Sequence, residues 1–147
     1  MLNQWLHDGT IQLADNMADW QQALYFCAQP LLQSDIITAD YVPAIIRSHQ
    51  KLGPYYVLAP GLAMPHARPE EGAREMGLSL LKLRQGVNFG SEEHDPVDLI
   101  IMLAAKDSHS HIAMLSSLGE LFSSDEAMNK LHRAGTIEQI KNLIAPF

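Results

Sequence analysis

Apolar and polar positions alternate along the 147-residue chain in a way that divides it into short strands and amphipathic helices. Residues 10–14 (TIQLA) alternate as a short strand. Asp15 and Asn16 then offer N-cap oxygens to a helix through ADWQQALYFCAQ, with Trp20, Leu24 and Cys27 or Ala28 on its buried face. Pro30 is expected to kink or end this helix, because its ring removes a donor and crowds the preceding turn. A second helix is predicted from about Thr38–Asp40. With Asp40 as cap, Pro43 falls third, where no intrahelical donor is missed, and Gly53-Pro54 stops the helix. Tyr55 to Leu58 read as a strand, Pro60-Gly61 break it, and Leu62 to Met64 extend again. Residues 77–83 (GLSLLKL) and 97–103 (VDLIIML) are apolar at most positions, as in strands covered on both faces, and the second is the candidate central strand. Between them, Gly86 to Pro96 is a polar loop around Phe89. A helix is predicted from Ser108 with Ile112, Leu115, Leu118 and Phe122 on one stripe, followed by short amphipathic helices over 125–133 and 136–144. Strands and helices interleave without repeat or linker. This predicts a single layered α/β domain over residues 1–147, a mixed central sheet flanked by helices on both faces.

Charge narrows the function classes. The formal net charge is −7, from 10 Lys and Arg against 17 Asp and Glu. Nucleic-acid binding draws its affinity from neutralised phosphates, so this balance argues against it. Residues 1–46 hold five Asp and no Lys or Arg, and residues 107–147 hold five acids against three bases. The surplus negative charge thus lies towards the two ends, where it would quicken encounter with a basic protein partner. The single cysteine, Cys27, permits no intrachain disulfide, and no apolar run approaches the roughly 20 residues of a membrane span. The first residues show no basic region followed by an apolar one, so a cytoplasmic protein is expected.

Two of the groups that hold the seven histidines carry chemical interest. In Met64-Pro65-His66-Ala67-Arg68-Pro69 two prolines bracket a histidine and an arginine. Each proline fixes its own φ and keeps the preceding residue out of the α region, so the segment is stiff and extended. Such a loop holds an imidazole with little rotamer freedom, as a nucleophile requires. In Lys106-Asp107-Ser108-His109-Ser110-His111 the strongest strand runs into a helix N-terminus, where free backbone donors favour anions. The i, i+2 spacing of His109 and His111 suits metal ligands poorly, and with no HExxH, no CxxC and no dense carboxylate set no metal site is expected. Ser79 and Lys106 are possible neighbours of a site. Glu92, Glu93 and Asp95 read as a solvated loop, and the scattered methionines as core filling.

The stretch APGLAMPHARPE (59–70), followed by GLSLLKL and DPVDLIIMLAAKDSHSHI, resembles the enzyme IIA family of the phosphoenolpyruvate-dependent sugar phosphotransferase system. The resemblance is to the mannitol/fructose type, with the ascorbate-like subgroup most similar, and it covers essentially the whole chain. It implies an α/β phosphoryl carrier, needing no cofactor, that accepts a phosphoryl group from the phosphohistidine of HPr. The group then passes to a cysteine of enzyme IIB, which phosphorylates sugar during transport through the membrane component IIC. The family's phosphorylated histidine falls on His66, and a second histidine close to the phosphoryl group falls on His111. Mannitol-type members carry an arginine a few residues before the strand leading to the motif. Here that spacing holds His49, with Arg47 two residues earlier. Arg68, in an HxRPE run like that of ascorbate-like relatives, is a third candidate for the phosphate-stabilising cation. Two other classes share these residues: a regulatory sensor of phosphorylation state on the same fold, and a metal-binding protein using the histidines.

Overall fold

The structure is a computed structural model and describes residues 1–109 and 111–147. Its frame is a five-stranded mixed sheet built from β1 (Ile11–Ala14), β2 (Val57–Ala59), β3 (Leu62–Ala63), β4 (Gly77–Val87) and β5 (Val97–Ala104). The strand order is β1-β4-β5-β3-β2, so the apolar run 97–103 lies at the centre, as its composition predicts. β4 and β5 pair antiparallel, whereas β1 joins β4 and β3 joins β5 in parallel. Helices cover both faces. On one side lie α1 (Trp20–Gln33) and α2 (Tyr41–Leu52); on the other lie α3 (Ile112–Phe122), α4 (Asp125–Arg133) and α5 (Ile137–Ile144), with Leu2 and Leu6 of the N-terminal segment. Alternate residues of β4 and β5 feed the two cores: Leu81, Leu83, Ile100 and Met102 pack under α1 and α2, and Leu78, Leu80, Leu99 and Ile101 under α3–α5. Burial on both faces is why these strands read as nearly unbroken apolar runs.

Several local expectations are corrected. The N-cap of α1 is Asp19, whose carboxylate accepts from the Gln22 amide at 2.8 Å, not Asp15 or Asn16. α1 runs through Pro30 to Gln33. Proline removes the donor that would have met the Phe26 carbonyl, and the Gln12 side-chain amide of β1 donates to that carbonyl instead at 3.0 Å. Pro30 itself is buried, so packing on the sheet outweighs the local cost. β4 extends to Val87, past the expected boundary at Leu83, because Val87 pairs with Val97. Tyr55 lies in a turn and β2 starts at Val57. α3 begins at Ile112 rather than Ser108, and Ser110 of the expected helix lies outside the described residues. The buried face of α3 is Met114, Ser117, Leu118 and Leu121, while Ile112 and Leu115 of the expected stripe are exposed.

The loop before β5 also differs from a merely solvated one. Glu92 and Glu93 are exposed, but the Asp95 carboxylate accepts from the amides of Phe89, Gly90 and Ser91 at 2.9, 2.9 and 3.0 Å. Three oriented donors fold the loop around this one side chain and deliver Phe89 into the core. No helix among the described residues is long and apolar enough to cross a membrane.

Candidate functional site

β3 and β5 lie side by side and parallel, with Leu62 opposite Leu99 and Ala63 opposite Ile100. Their chains therefore leave the sheet at the same end. The exit from β3 is Met64 to Arg68; the exit from β5 is the segment leading to His111. The two groups singled out in the sequence, some forty residues apart, meet there because of this pairing. They line one cavity of about 400 Å³ that includes His66, Arg68, His111, Tyr55, Asp107 and Ser108. A crevice beyond the carboxyl ends of parallel strands is the usual ligand position of an α/β sheet.

His66 is held from several directions. Its Nδ1 lies 2.9 Å from the Met64 carbonyl. A carbonyl only accepts, so Nδ1 carries the hydrogen and Nε2 keeps the lone pair. The Tyr55 hydroxyl donates to the His66 carbonyl at 2.9 Å, and the two rings meet edge to face with centroids 5.8 Å apart. Ser48 hydrogen-bonds the Tyr55 hydroxyl in turn, and partial burial raises the pKa of this phenol above its usual 10. The loop is sewn to the sheet by the Leu103 amide, which donates to the Pro65 carbonyl at 3.0 Å, and by the Met64 amide, which donates to Tyr56 at 2.9 Å. Tyr41, buried at the start of α2, spans the remaining gap. Its hydroxyl donates to the Leu103 carbonyl at 2.6 Å and accepts from the Ala67 amide at 3.1 Å. Burial pushes the Tyr41 hydroxyl up to a pKa of about 12, so it stays a neutral clasp.

Around this imidazole stand two further sequence candidates. Arg68 is exposed and lines the cavity; its amide donates to the Glu71 carboxylate at 2.9 Å, and its guanidinium forms no ion pair among the described residues. His111 is the N-cap residue of α3 and lines the same cavity, with its Nδ1 buried and unpartnered among the described residues. The other candidates lie elsewhere. His49 is a core residue: it stacks on Trp20 with centroids 3.8 Å apart, and its Nδ1 lies 2.7 Å from the Tyr56 hydroxyl. Burial holds its pKa below the usual 6.5. Arg47 is exposed outside the cavity. Of the three cations proposed to replace the arginine of mannitol-type members, only Arg68 shares the cavity with His66. Ser79 is fully buried, its hydroxyl donating to the Cys27 carbonyl at 2.7 Å, and Lys106 pairs with Glu75 at 3.4 Å; neither lines the cavity. Cys27 is wholly buried with its thiol pushed up to about 11, and so is unreactive.

Sequence reasoning missed Tyr41, Ser48, Tyr55 and Glu71. Tyr55 and Tyr41 gave a faint signal, as aromatics beside breaks (Gly53-Pro54, and the start of α2). The carbonyls to which their hydroxyls donate, however, lie 11 and 62 residues away.

The chain is thus a mixed α/β domain with a firmly held histidine in a crevice at the carboxyl ends of its parallel strands. The chain belongs to the family described as "Phosphoenolpyruvate-dependent sugar phosphotransferase system, EIIA 2", whose model matches residues 4–146. It is 35% identical over 136 residues to the ascorbate-specific PTS system EIIA component of Escherichia coli (strain K12), covering 92% of this chain and 88% of that one. The solution structure of the mannitol-specific cryptic phosphotransferase enzyme IIA of Escherichia coli superposes with a TM-score of 0.92, at 40% identity, covering 99% of both chains. The enzyme IIA of mannitol from the same organism, in complex with phosphorylated enzyme IIB, gives a TM-score of 0.82 at 25% identity, covering 97% of this chain and 98% of that one.

Proposed function

We propose that this chain is a cytoplasmic phosphoryl carrier, acting as one domain over residues 1–147, with His66 as the phosphorylated residue. The observation that carries the proposal is the hydrogen bond from His66 Nδ1–H to the Met64 carbonyl at 2.9 Å. It leaves Nε2 as the nucleophile and fixes the ring in one tautomer before any partner arrives.

Nε2 attacks the phosphorus of a phosphohistidine on HPr. The new N–P bond forms as the old one breaks, and the donor imidazole leaves with its electron pair. In the second transfer a cysteine thiolate of enzyme IIB attacks the same phosphorus and His66 departs neutral, with Nδ1 still protonated. IIB then phosphorylates the sugar carried by the membrane component IIC. Phosphoryl transfer asks the protein chiefly for in-line placement and for charge stabilisation on the equatorial oxygens. Arg68 and His111 line the cavity beside His66 and are assigned that second role. The N-terminal turn of α3, which starts at Ile112, adds its own partial positive charge. The mannitol relative bound to phosphorylated enzyme IIB supports this choice of acceptor. Similarity to both mannitol-specific and ascorbate-specific proteins supports a sugar or sugar-acid transport system.

The test is phosphotransfer from phosphoenolpyruvate through enzyme I and HPr, with mass mapping of the labelled residue. Label is expected on His66 alone, and His66→Ala should take none. Undiminished labelling of that variant defeats the assignment.

A further inference from the structure

A second cavity, of about 460 Å³, lies on the α3–α5 side of the sheet, between the C-terminal end of β1, the middle of β4 and the turn after α4. It is well separated from His66. The β4–β5 ladder has Gly77 opposite Ala104 at the His66 end, whereas Lys82 sits opposite Leu99, five residues or about 16 Å further along. Lys82, Arg84 and Arg133 all line this cavity, with Asp15 as the one carboxylate. The chain has only 10 Lys and Arg against 17 acids, so three bases around one cavity run against its overall charge.

The three cations are placed differently. Lys82 is 5% exposed; its ammonium donates to the Leu83 carbonyl at 2.7 Å and pairs with Asp98 at 3.2 Å. The same Asp98 carboxylate holds His132 Nδ1 at 2.8 Å, so one negative charge is shared between a buried lysine and a histidine that also lines the cavity. A break in the β4–β5 register just beyond the Lys82–Leu99 pair sets Asp98 beside both. Gly61 packs so closely there that a Cβ would come within 2.6 Å of the Asp98 carboxylate. Arg84 and Arg133 are exposed, and neither forms an ion pair among the described residues. Arg84 shares a face of β4 with Lys82, two residues away. Arg133 sits in the last turn of α4, where its charge opposes the partial negative charge of the helix end.

We propose that this cavity is a second anion site, which takes the phosphate group of inorganic phosphate or of a small phosphomonoester. Two free guanidinium forks and a fixed ammonium match the geometry of phosphate oxygens, and the volume suits a small metabolite. The apolar walls, Leu13 and Ala134 among them, receive whatever the phosphate is attached to. The site is independent of phosphoryl transfer at His66 and stands or falls separately from it.

The experiment titrates the isotope-labelled full-length protein with inorganic phosphate, with glycerol 1-phosphate and with sodium chloride at matched ionic strength, following backbone amide resonances. Saturable millimolar shifts are expected at Arg84, Ala134 and Gly135. The double variant Arg84→Gln/Arg133→Gln, both positions being exposed, should weaken binding by about tenfold or more with the fold unchanged. Saturation by both phosphates makes the phosphate group itself the ligand; saturation by the ester alone adds a requirement for contacts to the esterified group. Shifts that only track ionic strength, shifts confined to the His66 loop, or unaltered binding by the double variant would overturn the proposal.

Discussion

Single hydroxyls and ring nitrogens set the chemistry of this molecule. Tyr41 joins the end of β5 to the His66 loop through one hydroxyl that both donates and accepts. Removing it leaves the Leu103 carbonyl and the Ala67 amide without that partner. Tyr41→Phe should therefore cost about 1–3 kcal/mol in urea denaturation, and slow phosphoryl acceptance by loosening the loop. His111→Ala removes a cavity-lining donor without touching the strands. Transfer from phospho-HPr is expected to slow by about 10²-fold, read in a single-turnover assay, with an unchanged circular dichroism spectrum. A full-rate variant would remove His111 from the site. The bracketing prolines and the histidine between them were legible in the residues alone, because proline acts on its immediate neighbours. The roles of Tyr55 and Tyr41 were barely legible, because the carbonyls they donate to belong to other segments of the chain.

At the scale of elements, neighbours override local preference. The Phe26 carbonyl that Pro30 deprives of a donor is met by Gln12 from β1, so a helix expected to kink or end at its proline continues for three more residues. The stripe expected on α3 held only in part: Leu118 is buried and Phe122 packs on the core, but the other two positions face solvent. Ile112 and Leu115 are 64% and 36% exposed, while the less apolar Ser117 is buried on the sheet. Periodicity alone offered more than one apolar line along this helix, and the sheet selected another. The turn between β2 and β3 is under tighter constraint. Gly61 has φ +75°, and its missing Cβ leaves room for Asp98. Gly61→Ala should destabilise by about 1–3 kcal/mol in thermal or urea unfolding, since a side chain there meets both backbone strain and the carboxylate.

The whole molecule has a core histidine and an exposed rim, and each predicts something measurable. Burial lowers the pKa of His49, so the native protein holds this proton more weakly than the unfolded chain does. The stability linked to His49 is thus fully present above its unfolded pKa of about 6.5, and is lost as pH falls from there through the lower native value. Urea midpoints should fall over that interval more steeply for the wild type than for His49→Gln; parallel curves would deny the linkage. Leu52, which lines the His66 cavity, is 69% exposed, and Ile112, the residue after the cavity-lining His111, is 64% exposed. Large apolar side chains so open to solvent beside His66 suit the proposal that HPr and then enzyme IIB dock on this face. Leu52→Asp should raise the KM for phospho-HPr with little effect on the unfolding midpoint, because the residue contributes little to the core.

The stiffness of the His66 loop and the two strands apolar on both faces were determined by the sequence itself, as was the net charge of −7. These follow from composition and from interactions within a few residues. Which side chains share a cavity was decided only by the tertiary structure. Parallel pairing of β3 with β5 brings residues 66 and 111 to one end of the sheet, while a register break gathers Lys82, Asp98 and His132 further along it. Strand order and register arise from burying both faces of the sheet at once, a condition that no short stretch of chain can express.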